Sequence, residues 1–230
     1  MTTATEPGYA ELPRLISLMT GDDKHLAAAE STVDVLWVLY DRVLDITTGN
    51  FREPDRDRFL LSKGHGPMAY YAVLTAKGFL DEAELPTWSD PVSRLGHHPD
   101  RRRIPGVEIS SGSLGHGLPI ALGTALGLRA RGLVSPKVVT LIGDAELDEG
   151  SNHEAIVVAA RDALENLTTV VIDNRSSTRG WPGGIARRFG VEGWEARTVP
   201  GRDHDALFDA FTAPHPGRPL AVVAVVEPKG

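Results

Sequence analysis

The stretch VVTLIGDAELDEGSNHEAIVVAARDALENLTTVVIDN, residues 138–174, decides the fold. It begins with an apolar run over residues 138–143 and then turns acidic. Apolar residues at helical spacing follow over residues 152–167, and a second apolar run covers residues 168–173. This order predicts a strand, a turn, a helix and a strand. Two parallel strands need such a crossover, which is right-handed in nearly all proteins. We therefore predict an α/β fold, a doubly wound and mostly parallel sheet with helices on both faces.

Asp144 and Asn174 stand at the ends of the two predicted strands. Open α/β sheets bind ligands beyond the carboxyl ends of their strands, so the fold would bring this carboxylate and this amide side by side. Such a pair, with positions left for other ligands, suits Mg²⁺ held together with a diphosphate. The alternative is that Asp144 caps the following helix and Asn174 is a turn residue. An EF-hand is excluded, because position twelve of its loop would be Ala155 and a strand precedes the motif.

The composition is that of an ordinary globular protein. A chain of 230 residues, 41% apolar and 24% charged, suits one large domain with a buried core. The net charge of −7 argues against a nucleic-acid partner. The absence of cysteine excludes disulfides and thiol chemistry, and together with the lack of an evident signal peptide it favours the cytoplasm. The apolar run over residues 220–226 is too short for a membrane span and predicts a buried parallel strand.

The string GDAELDEGSNHEA, followed by VVIDN, resembles the thiamine diphosphate fingerprint of the transketolase family. The resemblance implies one diphosphate-binding domain of transketolase type over residues 1–230. It also implies a set of cofactor-binding positions in this stretch: Gly143, Asp144, Ala145, Glu146 and Asn174. In the family, Mg²⁺, for which Ca²⁺ or Mn²⁺ can substitute, is held at positions that correspond to Asp144, Asn174 and the carbonyl of Ser176. Ala145 replaces a family glycine, and we expect it to be tolerated at negative φ.

Two further motifs resemble the family in the same chain order. In LSKGHG, residues 61–66, His65 falls at the histidine that touches the cofactor phosphate, and Pro67 is predicted to open a helix. In the segment HHPDRRRIPGVEISSGSLGHG, residues 97–117, His98 takes the position of a family histidine. The segment that contacts the cofactor rings corresponds to Gly112, Ser113 and Leu114. The three arginines at 101–103 are interpreted as an exposed charge run.

The resemblance implies three catalytic residues: His25, His98 and Glu149. His25 precedes a predicted amphipathic helix that starts at residue 26 and ends near Gly49. Glu149 and Glu154 fall at family glutamates that line the subunit interface. The alternatives are a surface histidine for His25 and ordinary acidic residues at a helix start for the two glutamates.

The resemblance covers only the first third of a full-length transketolase and leaves out the pyrimidine-binding domain. It implies one subunit of a split enzyme, completed by a separately encoded C-terminal subunit in an α2β2 heterotetramer. The implied reaction cleaves a ketose donor and transfers a two-carbon ketol unit to an acceptor, and the subunit would be active only with its partner. The alternatives are an E1-type subunit that delivers a two-carbon acyl unit to a carrier protein or lipoyl domain, and a non-catalytic cofactor-binding subunit.

Overall fold

A computed structural model of the chain describes residues 8–20, 23–65 and 67–228, without the side chains of residues 23–25 and 27. Its described part contains a sheet of five strands, all parallel, in the order β1-β2-β3-β5-β4. The strands are β1 (Arg58–Leu61), β2 (Val138–Gly143), β3 (Leu167–Asp173), β4 (Glu195–Pro200) and β5 (Leu220–Val225). The predicted α/β class and the parallel sheet are confirmed.

The helices cover both faces of the sheet. They are α1 (Leu12–Ser17), α2 (Asp23–Glu30), α3 (Val33–Val38), α4 (Pro67–Ala76), α5 (Gly117–Ala130), α6 (Gly150–Arg161), α7 (Ile185–Val191) and α8 (His204–Thr212). One core contains α1, α3, α4 and α8, and the other contains α5, α6 and α7. Strand side chains alternate between the two cores: in β3, Val170 joins the first and Val171 the second. Burial on both faces explains why β2, β3 and β5 are continuous apolar runs.

The helix predicted from residue 26 to near Gly49 is broken, and this prediction was wrong. Helix α2 ends at Glu30, α3 covers only Val33–Val38, and a π-helical turn at Leu39–Val43 ends the helical segment. Between α2 and α3, the hydroxyl groups of Ser31 and Thr32 both donate to the carbonyl of Ala28, at 2.9 and 2.7 Å. Serine and threonine bond back to the helix in this way and disturb its regular hydrogen bonds.

The β2–α6–β3 unit has the predicted order of elements, but α6 covers Gly150–Arg161 instead of residues 152–167, and β3 begins at Leu167 instead of residue 168. Helix α6 ends at Arg161, earlier than predicted, because Ala163 has φ +46° and cannot continue a right-handed helix. Strands β2 and β3 pair in register, with Gly143 opposite Ile172. Asp144 and Asn174 therefore follow neighbouring strands at the carboxyl edge of the sheet, as predicted.

A buried carboxylate joins the N-terminal segment to the far end of the sheet. Asp34, in α3, accepts hydrogen bonds from the hydroxyl of Tyr9, from Nε2 of His204 at 2.8 Å and from the guanidinium of Arg202 at 2.8 Å. Burial alone would raise the pKa of Asp34, but these three donors outweigh burial and hold the pKa below its ordinary value. Within the described residues no helix is long and apolar enough to cross a bilayer.

Candidate functional site

Asp144 holds the loop that follows β3. Oδ2 of Asp144 accepts hydrogen bonds from the backbone N–H groups of Ser176 at 2.7 Å and Ser177 at 3.2 Å. Oδ1 accepts the hydroxyl of Ser176 and the N–H of Ala145. The carboxylate is 1% exposed. A buried charge with four donors is fixed in position before any ligand arrives.

Asn174 follows β3, the strand next to β2, and its side-chain oxygen is unsatisfied. The residue is 7% exposed, and its Oδ1 is buried with no hydrogen-bond partner among the described residues. A buried polar atom without a partner costs about 1–3 kcal/mol, so such atoms in native proteins need an explanation. A metal ion at Oδ1 would supply the missing partner. The donor set of Asp144, Asn174 and the Ser176 carbonyl is all oxygen, which fits Mg²⁺.

The two turns at this edge are joined by a second carboxylate. Asp148 accepts hydrogen bonds from the hydroxyl groups of Ser177 at 2.9 Å and Thr178 at 2.6 Å, and from the Thr178 N–H. These donations lower its pKa, the Thr178 hydroxyl most of all. Ala145 lies in the 3₁₀ turn at Asp144–Asp148 and is not among the residues with positive φ, so the expectation of negative φ is confirmed.

Glu146 connects three loops from inside the protein. Its Oε1 accepts the hydroxyl of Ser62 at 2.6 Å and the N–H of Gly115 at 3.1 Å, and its Oε2 accepts the N–H of Gly143 at 2.9 Å. The Ser62 oxygen in turn accepts the N–H of Gly117 at 3.0 Å. Glu146 is 2% exposed, and burial raises its pKa. Its carboxylate therefore joins the ends of β1 and β2 to the start of α5.

Lys63 ties the loop after β1 to the break between α2 and α3. Its Nζ donates to the carbonyl of Ala28 at 3.0 Å and to the hydroxyl groups of Ser31 at 2.9 Å and Thr32 at 2.7 Å. A cation at the C-terminal end of a helix is favourable, since the last carbonyl groups carry partial negative charge. This contact holds α2, which carries His25, against the carboxyl edge of the sheet.

His98 packs into the same loop system. Its Nδ1 lies 2.9 Å from the carbonyl oxygen of Gly64. Because a carbonyl only accepts hydrogen bonds, Nδ1 carries a proton and donates it to Gly64. A Cβ atom on Gly112, which has φ +131°, would lie 2.9 Å from the His98 ring. The rings of His65 and His98 are perpendicular, with centroids 6.4 Å apart.

The loop that starts α5 lies against Glu149. A Cβ atom on Gly115, at φ +80°, would lie 2.6 Å from Cβ of Glu149. Ser113, Leu114 and Glu149 are exposed, so their side chains remain available to a ligand or to another chain. The outer side of α5 contains two glycines, Gly123 and Gly127, at which a Cβ atom would meet no other atom within 4 Å.

The structure brings most of the sequence-predicted residues to one edge of the sheet. Direct contacts link Asp144 with Ala145 and Ser176, Glu146 with Gly143, and His98 with Gly112, while His65 faces His98. The side chain of His25 lies outside the described residues. Among those described, no three His, Cys, Asp or Glu side chains gather as a metal cluster.

Sequence reasoning missed four residues that hold the site together: Ser62, Lys63, Gly115 and Asp148. Ser62 and Glu146 are 84 positions apart, so no local pattern reveals their hydrogen bond. The clearest signal was the polar string at the end of β1, where Ser62 and Lys63 are both buried. Buried polar side chains at a strand end indicate structural bonds or a ligand site.

Comparison with known proteins identifies the family. Residues 18–223 match the model described as transketolase, thiamine diphosphate binding domain. One subunit of the apulose-4-phosphate transketolase of Actinobacillus succinogenes is 36% identical over 207 residues, which cover 87% of this chain and 75% of that protein. A protein of Rhodococcoides fascians named ferredoxin fas2 is 54% identical over 222 residues, 96% of this chain and 73% of its own length.

The fold has the same relatives. The transketolase of Leishmania mexicana superposes with a TM-score of 0.77 over 96% of this chain, at 23% sequence identity. This chain spans only 37% of the length of that transketolase. The parallel sheet with helices on both faces is thus the fold of the first part of a transketolase. Sequence and structure agree, and the chain belongs to the transketolase family, whose N-terminal, thiamine diphosphate-binding domain it represents.

Proposed function

We propose that this chain is the thiamine diphosphate- and Mg²⁺-binding subunit of a transketolase-like enzyme that transfers a two-carbon ketol unit from a ketose to an acceptor. One observation carries the proposal: Oδ1 of Asn174, which follows the strand next to that of Asp144, is buried without a partner among the described residues. When bound, thiamine diphosphate supplies the chemistry that cleaves the ketose and carries the two-carbon unit. The protein supplies binding, orientation and electrostatics.

Several residues of the chain would hold the cofactor at this edge. Asp144, Asn174 and the Ser176 carbonyl would bind Mg²⁺, whose charge would offset that of the diphosphate. His65 would donate to the phosphate groups, near the N-terminal end of α4, where free N–H groups favour anions. The backbone at Gly112, Ser113 and Leu114 would contact the rings, and the packing of Gly112 on His98 keeps that backbone in place.

His25, His98 and Glu149 are the proposed catalytic residues. The contact between Nδ1 of His98 and the carbonyl of Gly64 holds the ring in place, and the ring would contact a hydroxyl group of the ketose. Glu149 is exposed beside Gly115, where a partner subunit would cover it. The role of His25 rests on the family resemblance alone.

A separately encoded partner subunit with the pyrimidine-binding domain completes the enzyme in this proposal. Support comes from the Actinobacillus succinogenes relative, which is itself named as one subunit of a transketolase and which this chain covers over 75% of its length. The open face of α5 at Gly123 and Gly127 is a second support, because glycines let another helix approach closely. Glu154, on α6, is exposed and would join Glu149 at this interface. The two kinds of chain would form an α2β2 heterotetramer, and the cytoplasmic location remains a prediction.

The metal assignment is tested by Asn174→Ala. Its matched control is Asn166→Ala, which removes the same amide group at the other end of β3, where Asn166 bonds to the carbonyl of Pro136. Calorimetry with Mg²⁺ and thiamine diphosphate, on the chain mixed with its partner, measures the affinity. We expect Asn174→Ala to abolish Mg²⁺-dependent cofactor binding with the circular dichroism spectrum unchanged, and Asn166→Ala to bind as the wild type does. Unchanged affinity in Asn174→Ala contradicts the metal site.

The activity is tested by reconstitution. The chain alone should show no ketol transfer, and the addition of the partner should give it, with an aldose as acceptor. Turnover by the isolated chain would contradict the split-enzyme proposal. Transfer only to a lipoyl or carrier domain would favour the E1-type alternative, and cofactor binding without turnover would favour a non-catalytic subunit.

A second candidate function follows from one comparison. The 54%-identical relative is named a ferredoxin, and about a quarter of its length lies outside the match. This chain has no cysteine, so it cannot hold a cysteine-ligated iron–sulfur cluster itself. The candidate is oxidation of the two-carbon unit to the acyl level, with water releasing it as a carboxylic acid and the two electrons passed one at a time to a separate iron–sulfur carrier. Reduction of such a carrier by the reconstituted enzyme, dependent on ketose and faster than aldose-dependent transfer, would favour it.

A further inference from the structure

Five arginines converge on one cavity away from the residues described above. The cavity measures about 310 Å³, and the residues that line it include Arg52, Arg56, Arg101, Arg102 and Arg103. We name these five residues the arginine pocket. Arg56 lies just before β1, which begins at Arg58, so the pocket is near the amino end of that strand. Asp144 and Asn174 follow the carboxyl ends of the strands, at the opposite edge of the sheet.

The positive charge of the pocket exceeds the negative charge of the two carboxylates beside it, Glu108 and Asp100. Glu108 pairs with Arg56, which is also bonded to the carbonyl of Phe51. Asp100 offsets part of the charge: its Oδ1 accepts hydrogen bonds from the N–H of Arg102 at 2.8 Å and the hydroxyl of Ser110 at 3.0 Å, and these bonds, with the charges of Arg103 and Arg102, lower its pKa. Arg52, Arg101, Arg102 and Arg103 are exposed and form no ion pair within the described part of the chain. Four like charges thus lie together in a protein of net charge −7.

The backbone of the pocket is held firmly. Ile104 is 2% exposed, and its N–H donates to the carbonyl of Asp100 at 3.0 Å. Gly106 has φ +80°, and a Cβ atom there would lie 2.8 Å from the ring of Phe79. Arg94 bonds to the carbonyl of Arg103 while it pairs with Glu84. The guanidinium groups therefore extend from a fixed loop, which lowers the entropy that a ligand must overcome.

The chemistry of guanidinium selects the ligand class. Arginine presents several N–H donors in a planar fork that matches the oxygens of phosphate, and it keeps its charge at all physiological pH values. Like charges held together also repel, so an anion that neutralises them binds more strongly than at an isolated arginine. A cavity of about 310 Å³ suits a compact anion rather than a folded domain.

We propose that the arginine pocket is a binding site for a small phosphate-bearing molecule, at the amino end of β1. The probe is inorganic pyrophosphate, titrated into the full-length chain in EDTA so that a metal-dependent diphosphate site contributes little. The test variant is Arg52→Gln/Arg102→Gln. The control is Arg161→Gln/Arg187→Gln, which removes two exposed arginines, on α6 and α7, and changes the net charge by the same amount.

Backbone NMR of the wild type should show saturable shifts at residues 52, 56 and 101–108. The test variant should bind pyrophosphate at least tenfold more weakly, and the control within twofold of the wild type. Citrate, a compact trianion without phosphate, should bind less tightly than pyrophosphate. Since the four substituted side chains are exposed, the melting temperature of each variant serves as a check on folding.

Three results would overturn the proposal. An equal loss in the test and control variants would mean that only overall charge matters. Saturable shifts confined to residues 143–146 and 174–176 would place the pyrophosphate at the other edge of the sheet. The absence of saturable binding to the wild type would mean that the arginines form an exposed charged surface and no site.

Discussion

The substitution Glu146→Gln tests how the candidate site is held together. In the wild type both carboxylate oxygens accept hydrogen bonds, Oε1 from Ser62 and Gly115 and Oε2 from Gly143. Glutamine fills the same volume but has only one acceptor oxygen. Its NH₂ group must then face at least one N–H, either of Gly115 or of Gly143. The change is therefore a test of the hydrogen bonds at constant packing.

The expected loss of stability is moderate. A buried N–H left without an acceptor costs about 1–3 kcal/mol, and bonds that change from a charged to a neutral acceptor weaken by about 1 kcal/mol each. Part of this loss is offset, because burial raises the pKa of Glu146, which means that its charge is itself costly in the protein. We expect a net loss of about 2 kcal/mol in the free energy of unfolding. For a domain of this size that corresponds to a fall of about 4–8 °C in the melting temperature.

The assay combines thermal unfolding with amide hydrogen exchange. Glu53→Gln is the control, since Glu53 is exposed and its side chain makes no hydrogen bond or ion pair with the described residues. In Glu146→Gln the amides of Gly115 and Gly143 should exchange faster, and the affinity for thiamine diphosphate should fall because three loops lose their common anchor. An unchanged melting temperature together with unchanged exchange at both glycines would refute the anchoring role of Glu146.

The remaining predictions concern other parts of the chain. Asp34→Asn should lower the free energy of unfolding at pH 7 by about 1–3 kcal/mol. Because the pKa of Asp34 is held below 3.8, the difference in stability from wild type should persist down to about that pH and shrink below it. Urea unfolding at several pH values measures this difference. Gly127→Ala should stabilise the isolated chain by up to about 1 kcal/mol, since its Cβ meets no atom, yet weaken association with the partner subunit in a pull-down titration. His98→Ala should reduce turnover by a factor of about 10²–10³ with little loss of cofactor affinity, whereas His65→Ala should mainly lower the affinity for the cofactor. Steady-state kinetics and calorimetry measure both variants, and a reversal of the two effects would contradict these roles.

The sequence predicted the elements whose burial leaves a continuous apolar pattern. β2, β3 and β5 are buried on both faces, and each was evident as an apolar run bounded by polar residues. The helix predicted from residue 26 was wrong because the cause of its break lies in a distant part of the chain. Its apolar spacing continues through Ser31 and Thr32, but both hydroxyl groups bond to the carbonyl of Ala28 and to Lys63. Lys63 comes from a distant loop, so no window around residue 31 contains the cause of the break.

In the candidate site, too, local patterns were predictable from the sequence and long-range contacts were not. Asp144 and Asn174 could be paired from sequence, because the ends of adjacent parallel strands must lie at one edge. The family resemblance assigned Glu146 to cofactor binding, whereas both oxygens of its carboxylate accept hydrogen bonds from within the protein. Whether a polar side chain faces a ligand or the scaffold depends on contacts across 31 and 84 positions of sequence, to Gly115 and Ser62. Such contacts leave no local periodicity.

Asp144 itself leads to a last prediction, which rests on the proposed metal site. A carboxylate offers about four lone-pair positions. All four donors of Asp144 come from the chain: three N–H groups, of Ala145, Ser176 and Ser177, and the hydroxyl of Ser176. A metal ion must replace one of them, and the hydroxyl can rotate away whereas the N–H groups are fixed in the backbone.

The Ser176 hydroxyl therefore competes with the metal, although the Ser176 carbonyl is a proposed ligand. Ser176→Ala removes the competitor and keeps the carbonyl, so Mn²⁺ or Mg²⁺ should bind more tightly in the presence of thiamine diphosphate. If the metal no longer has to break a hydrogen bond worth about 1 kcal/mol, its affinity for the site rises about fivefold. Ser177→Ala is the control, because its hydroxyl donates to Asp148 at 2.9 Å rather than to Asp144. Metal titration followed by electron paramagnetic resonance of Mn²⁺ measures both variants. Weaker binding in Ser176→Ala than in Ser177→Ala would show that the hydroxyl positions the carboxylate for the metal, and the competition argument would then be wrong.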